Sequence, residues 1–149
     1  DVIRNALLES EKHYNTTFDY HIDLDATSPL RIPEDITKAF ELFKSGSCGN
    51  LITAMPSRRS PYFNMVELTT NGTVRLCKEG TFVRRQDVPQ TYDMNASIYI
   101  WKRAALLGAA HVITENTALY TMPEERSIDI DSPFDWEIVE FLLKKRSAQ

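Results

Sequence analysis

Between Tyr20 and Met55 the hydrophobic period changes twice, and this limits the chain more than any bulk property. Tyr20, Ile22 and Leu24 alternate with His21, Asp23 and Asp25, the period of a strand. Ile36, Ala39, Phe40 and Phe43 then recur on one face of a helix. Pro33 suits the first turn of that helix, Glu34 and Asp35 suit its positive end, and Gly46 suits its stop. Leu51–Met55 is a short apolar strand. Ile3, Ala6 and Leu7 predict a further helix ahead of all this. Helix, strand, helix, strand predicts a three-layer α/β unit with a mostly parallel sheet covered by helices.

The rhythm breaks after Met55. Met65–Thr69 and Thr73–Leu76 read as two strands joined at Asn71-Gly72, a strong hairpin signal. The stretch from Pro56 to about Gln90 is therefore expected to be a hairpin-bearing excursion from the main sheet. Ala96–Trp101 returns to strand, Lys102–Leu107 reads as helical, and Ala118–Asp131 is strand-like around Pro123. The last helix is marked by Ser132 as a cap, Pro133 at its first position and Asp135 closing a capping box. Trp136, Val139, Leu142 and Leu143 supply an apolar face, and Lys144-Lys145-Arg146 suits the negative helix end.

Composition removes several functions. The 149 residues allow one domain with a real core. A net charge of -4 gives no basis for nucleic acid as a partner, because phosphate binding needs a basic surface. No apolar run approaches the ~20 residues needed to cross a bilayer, so no membrane partner is expected. Asp1–Glu11 is charged and does not read as a signal peptide. Cys48 and Cys77 are too few for a disulfide framework or a cysteine zinc site. Two reduced thiols suit a cytoplasmic protein, and the sequons at Asn15, Asn71 and Asn95 carry little weight without a secretory signal.

Three blocks carry polar side chains that suit chemistry. In Ser127-Ile128-Asp129-Ile130-Asp131, strand alternation would set Asp129 and Asp131 side by side with the isoleucines facing the core. Two carboxylates so close repel unless a cation lies between them, and oxygen ligands of this kind suit Mg²⁺ with substrate phosphates. The alternative is one helix-capping and one exposed aspartate. A dehalogenase-type phosphatase motif also has Asp-x-Asp, but its nucleophile opens a domain, whereas only one helix follows here. The second block, Leu24-Asp25-Ala26-Thr27-Ser28-Pro29-Leu30-Arg31, puts Asp25, Thr27 and Ser28 at the carboxyl end of a strand, where open α/β sheets bind ligands. The third is Arg84-Arg85-Gln86-Asp87, then Asn95-Ala96-Ser97-Ile98-Tyr99. Arg85 suits a two-pronged grip on a carboxylate, and Asn95 and Tyr99 offer further polar contacts. Ordinary turns and solvated charges are the plainer readings of the last two blocks, as of Ser57-Arg58-Arg59-Ser60.

Taken together, the blocks resemble the acylneuraminate cytidylyltransferases. The order is a Thr-Ser-Pro-Leu-Arg turn, then Arg-Gln ahead of Asn-x-x-Ile-Tyr, then Ile-Asp-Ile-Asp. The resemblance covers nearly the whole chain. Leu-Asp-Ala-Thr-Ser-Pro-Leu-Arg and Ser-Pro-Tyr-Phe-Asn-Met look closer to the branch acting on legionaminic acid. The resemblance implies a Rossmann-like nucleotidyltransferase that joins CTP to a nonulosonic acid, with release of pyrophosphate. It implies Mg²⁺ at Asp129 and Asp131, the sugar carboxylate at Arg85, and sugar-pocket roles for Asn95 and Tyr99. Asp25, Thr27 and Ser28 match the turn beneath the sugar, and the excursion implies a homodimer.

This sequence departs from the pattern in three places. Asp25 stands where sialic acid enzymes carry glutamine, and Asn64 where some carry lysine. Both point away from sialic acid itself. The glycine- and basic-rich Arg-x-Gly-Ser-Lys loop that cradles the triphosphate has no match among these residues. Residues 1–149 are therefore expected to be the C-terminal portion of a cytidylyltransferase domain, inactive alone. The rival expectation is a non-catalytic sugar-binding or dimerisation module.

Overall fold

The computed structural model describes residues 2–80, 82 and 84–147, the side chain of Arg85 excepted. The chain divides into two compact units, one formed by residues 1–55 with 94–149, the other by Pro56–Asp93.

The larger unit is a four-stranded sheet with helices. Its elements are α1 (Val2–Tyr14), β1 (Tyr20–Leu24), α2 (Pro33–Ser45) and β2 (Asn50–Pro56) before the excursion. After it come β5 (Tyr92–Lys102), α3 (Arg103–Gly108), β6 (Thr117–Thr121) and α4 (Pro133–Ser147). The strand order is β1-β5-β2-β6. β1 runs antiparallel to β5, with Tyr20 opposite Lys102 and Leu24 opposite Ile98. β2 runs parallel to β6, with Asn50 opposite Thr117. The Lys102 N–H donates to the Gly49 carbonyl at 2.9 Å, and the Ile98 N–H to the Thr53 hydroxyl at 3.0 Å, so β5 is antiparallel to β2.

Strands β1, β2 and β6 thus share one direction, but only the β2–β6 ladder is parallel, so the sheet is mixed where a mostly parallel one was expected. Contrary to a pure βαβ series, β5 opposes them from the middle of the sheet. The cause is the excursion. A chain that leaves β2 and comes back at the same end of the sheet must descend antiparallel beside it. A bond of 2.9 Å from the Ser57 N–H to the Thr91 carbonyl closes the root of that connection.

Alternation along β5 separates two cores. Ile98 and Ile100 join Leu51, Met122, and Ala39 and Phe43 of α2 in one cluster. Tyr99 and Trp101 point the other way, into a cluster with Leu7 of α1 and Leu106 of α3. The sheet is therefore covered on both faces, giving three layers. Arg103 grips Glu11 through two bonds of 2.7 and 2.9 Å, joining α3 to α1. Their mutual bonding holds the Glu11 carboxyl below its usual pKa.

The smaller unit carries β3 (Val66–Leu68) and β4 (Val74–Leu76), paired antiparallel as the Asn71-Gly72 turn predicts. Gly72 takes φ +78°, the left-handed value this turn needs. Thr69 closes the turn by donating from its N–H and hydroxyl to the Thr73 carbonyl at 2.8 and 3.0 Å. A short 3₁₀ turn covers Arg85–Asp87.

Two segments differ from the sequence reading. The strand expected across Ala118–Asp131 stops at Thr121, followed by a 3₁₀ turn at Glu124–Arg126 and an irregular stretch to α4. The isoleucine–aspartate alternation there meets no partner strand, and alternation without a ladder does not make a strand. β5 begins at Tyr92, earlier than Ala96, because the root of the excursion is already paired.

Candidate active site

The turn after β1 is built by its own side chains. Asp25 Oδ1 accepts the Thr27 N–H at 3.1 Å and the Thr27 hydroxyl at 3.0 Å, an Asx-type turn. These bonds, the backbone one foremost, hold the Asp25 carboxyl below its ordinary pKa, so it is anionic at neutral pH. Arg31 then clamps the turn from beneath. Its Nη1 donates to the carbonyls of Asp25 at 2.6 Å, Ser28 at 2.7 Å and Ser97 at 3.3 Å. One guanidinium thereby ties the turn to β5.

The segment carrying Asp129 and Asp131 meets this turn through the backbone, with the Ile130 N–H donating to the Thr27 carbonyl at 2.9 Å. Upstream, Arg126 forms a two-pronged pair with Asp35 at 2.8 and 2.9 Å. Asp35 is only 1% exposed and also accepts the Ile32 N–H at 3.0 Å, so it fastens the start of α2 and the 3₁₀ turn together. Downstream, Asp135 accepts the Ser132 N–H at 2.9 Å and the Ser132 hydroxyl at 2.6 Å, while its own N–H returns to that hydroxyl at 3.3 Å. This is the capping box expected at α4.

Tyr99 stands close enough to this group to feel it. Burial first, then the charges of Asp25, Asp23 and Asp129, push its phenol pKa above the ordinary value. The phenol therefore stays protonated at neutral pH. Among the described residues, the buried side-chain oxygens without a hydrogen-bond partner are Ser28 Oγ, Ser97 Oγ and Asp129 Oδ1. Ser28 and Ser97 share the Arg31 clamp, and Asp129 adjoins the residue bonded to Thr27. A buried polar atom left unpaired costs roughly 1–3 kcal/mol, so three around one turn mark a place suited to a polar ligand.

The structure thus brings together Asp25, Thr27, Ser28 and the segment carrying Asp129, with Tyr99 on the adjoining strand opposite Asp23. Asp131 follows, exposed. Asn95 lies in the core at 3% exposure, its amide bonded to Thr53, Ser97 and Ser127. The side chain of Arg85 lies outside the described residues. In the smaller unit, Ser57, Arg58, Arg59, Ser60, Gln86 and Gln90 line a cleft of about 510 Å³. Asn64 is committed to a turn there, accepting the Ser60 N–H at 2.6 Å.

Comparison with known proteins finds relatives matched over nearly the whole chain. The chain is 51% identical over 148 residues to post-translational flagellin modification protein B of Campylobacter coli. It is 52% identical over 146 residues to CMP-N,N'-diacetyllegionaminic acid synthase of Campylobacter jejuni. These proteins are its homologues.

The matches take in 99% and 98% of this chain but 63% and 62% of those proteins, so it spans less than two thirds of their length. A more distant similarity, 26% over 113 residues, links it to an N-acylneuraminate cytidylyltransferase of Streptococcus agalactiae. No protein-family profile matches. In fold, the chain aligns over 96% of its length with 66% of the 4-diphosphocytidyl-2C-methyl-D-erythritol synthase of Anaerococcus prevotii, at TM-score 0.54 and 12% identity. That likeness shows a shared α/β fold.

Sequence reasoning missed Arg31, Thr53 and the Asp35–Arg126 pair as parts of the site's frame. Arg31 stood inside a quoted motif, but its three carbonyl partners appear only when β5 is set beside the turn. Arg126 sits 91 residues from Asp35, and nothing local announces that pairing.

Proposed function

We propose that the full-length protein is a CTP-dependent cytidylyltransferase acting on a nonulosonic acid of the legionaminic type. The observation that carries this reading is the 52% identity to CMP-N,N'-diacetyllegionaminic acid synthase across 98% of the chain. In the reaction, the anomeric hydroxyl of the sugar attacks the α-phosphate of CTP. Its proton leaves to solvent or a base, the new O–P bond forms, and pyrophosphate departs.

Mg²⁺ fits the residues present. The buried, unpartnered Asp129 Oδ1 suits a cation, and Asp131 adds a second carboxylate two residues on. No group of three or more His, Cys, Asp or Glu side chains gathers for a metal among the described residues. A cation here would take the rest of its shell from phosphates and water, which Mg²⁺ accepts readily. When bound, Mg²⁺ neutralises charge on the phosphates. The chain's own residues do the rest. Thr27, Ser28 and Tyr99 offer hydroxyls to the sugar, Asp25 holds the turn that presents them, and Arg85 takes the sugar carboxylate. The exposed hairpin residues of the smaller unit suit a homodimer, and the location suited to such a biosynthetic enzyme is the cytoplasm. No helix among the described residues is long and apolar enough to cross a membrane.

The test is a panel of nonulosonic acids incubated with CTP, Mg²⁺ and the full-length protein, following pyrophosphate and CMP-sugar. Legionaminic-type acids should turn over fastest. Asp129→Asn should cut turnover by about a hundredfold or more while the protein stays folded. No CMP-sugar from any acid, or an Asp129→Asn variant as fast as the parent, would overturn the reading.

A further inference from the structure

Because Ser127–Asp131 belongs to no strand, no ladder decides where Asp129 projects. The segment is tied at three places instead. Ile130 is held by Thr27, and the N–H groups of Asp131 and Ser132 by Asp135, at 3.3 and 2.9 Å. The upstream tie is Ser127, which is 5% exposed. Its hydroxyl accepts from Asn95 Nδ2 at 2.9 Å and donates to the Pro123 carbonyl at 2.8 Å.

Asn95 has nothing left over. Its Oδ1 accepts the Thr53 hydroxyl at 2.7 Å and the Ser97 N–H at 3.3 Å. Between Asn95 and Ser97, Ala96 adopts φ +49°, a left-handed value in mid-strand and the mark of a bulge. The amide oxygen therefore closes the bulge and fastens it to β2. The amide nitrogen reaches Ser127, with Met122 Sδ at 3.5 Å. A side chain 3% exposed, with both polar atoms committed across three elements, is poorly placed to greet a substrate.

We infer that Asn95 is a positioning residue, which acts through Ser127 to fix the backbone that carries Asp129 and does not touch the sugar. The inference rests on the reading of Asp129 as a site residue. It separates Asn95 from Tyr99, four residues along the same strand and paired across the sheet with Asp23.

The test uses the full-length protein with Asn95→Ala, Ser127→Ala, both together, and Ser127→Thr, which keeps the hydroxyl. Turnover, KM for the sugar and amide hydrogen exchange are measured. Each alanine variant should lower kcat by about tenfold or more and leave the sugar KM within about twofold. The double variant should be no worse than either single one, because both break one tie. Ser127→Thr should restore most of the turnover. The Ile130 amide should exchange about tenfold faster in the alanine variants while that of Phe43 holds its rate. A rise in sugar KM confined to Asn95→Ala would make it a contact residue and overturn the inference. So would equal acceleration at Ile130 and Phe43, which would mean general loss of stability. If Asn95→Ala does not fold, Ser127→Ala decides alone. If the wild type transfers no cytidylyl group to any acid, the function reading fails, and the exchange measurement still judges the tie.

Discussion

The two units of this chain treat their apolar residues in opposite ways. Among the described residues, every buried hydrophobic one, from Leu7 to Val139, lies in the sheet-bearing unit. In the smaller unit Val66, Leu68 and Val74 are more than half exposed, and Phe63, Met65 and Leu76 more than a third. Its order comes from local contacts instead. Tyr62 packs edge-on against Phe82 at 5.2 Å, Lys78 sits 5.7 Å over Tyr62, and Arg75 pairs with Glu67. Such exposed pairs contribute little each. One unit thus carries its own stability, whereas the other holds a shape whose apolar surface asks for cover.

The comparison breaks most sharply at Phe43, which is 1% exposed in the α2 cluster. Phe43→Ala should cost about 3–5 kcal/mol, the range for deleting a buried aromatic ring. Chemical denaturation followed by circular dichroism measures it, and a loss below about 1 kcal/mol would mean that the cluster is not the core. Leu68, 73% exposed, tests the other side. Leu68→Lys should leave monomer stability within about 0.5 kcal/mol, since exposed substitutions rarely do more. If the hairpin covers itself against a second copy, association should weaken by about tenfold or more in sedimentation equilibrium of the full-length protein. Unchanged association would mean that the hairpin carries no self-association.

The smallest effect lies at α4, the helix of the larger unit most like the smaller one. Val139 is buried, but Phe134, Trp136 and Phe141 are at least 60% exposed. Its cap residue Asp135 has a carboxyl held below the ordinary value, by the Ser132 hydroxyl first and then by backbone N–H groups. A depressed carboxylate stabilises the fold above its unfolded pKa of about 4, and this is lost as pH falls through the lower folded value. The melting temperature of the wild type should therefore fall more steeply on acidification below pH ~4 than that of Asp135→Asn. Parallel curves would mean that the cap contributes nothing.

What the sequence revealed follows from how local each signal is. Pro33 with Glu34 and Asp35, Ser132 with Asp135, and Asn71-Gly72 each act within four residues, and each formed the feature expected of it. The turn at Asp25–Ser28 was legible for the same reason. The strand expected to carry Asp129 and Asp131 was not there, because a strand needs a neighbour and Pro123 leads into a 3₁₀ turn instead. The position of β5 in mid-sheet depended on where a long excursion returns. Asn95 was noticed for its polarity, yet its surroundings come from partners 42 and 32 residues away.

The root of the excursion has a consequence for how such chains vary. Ser57 and Thr91 are bonded across the gap, and the two strands beside them are antiparallel neighbours. From the sheet's side the whole smaller unit is therefore the loop of a hairpin. Its length is free, because lengthening a closed loop costs only about 0.6 kcal/mol per doubling. Residues can be added to or removed from it without shifting the register of β2 against β5, and so without moving Thr53, Asn95 or Tyr99. The exposed hairpin can change under selection while the turn after β1 and the strand beside it keep their alignment.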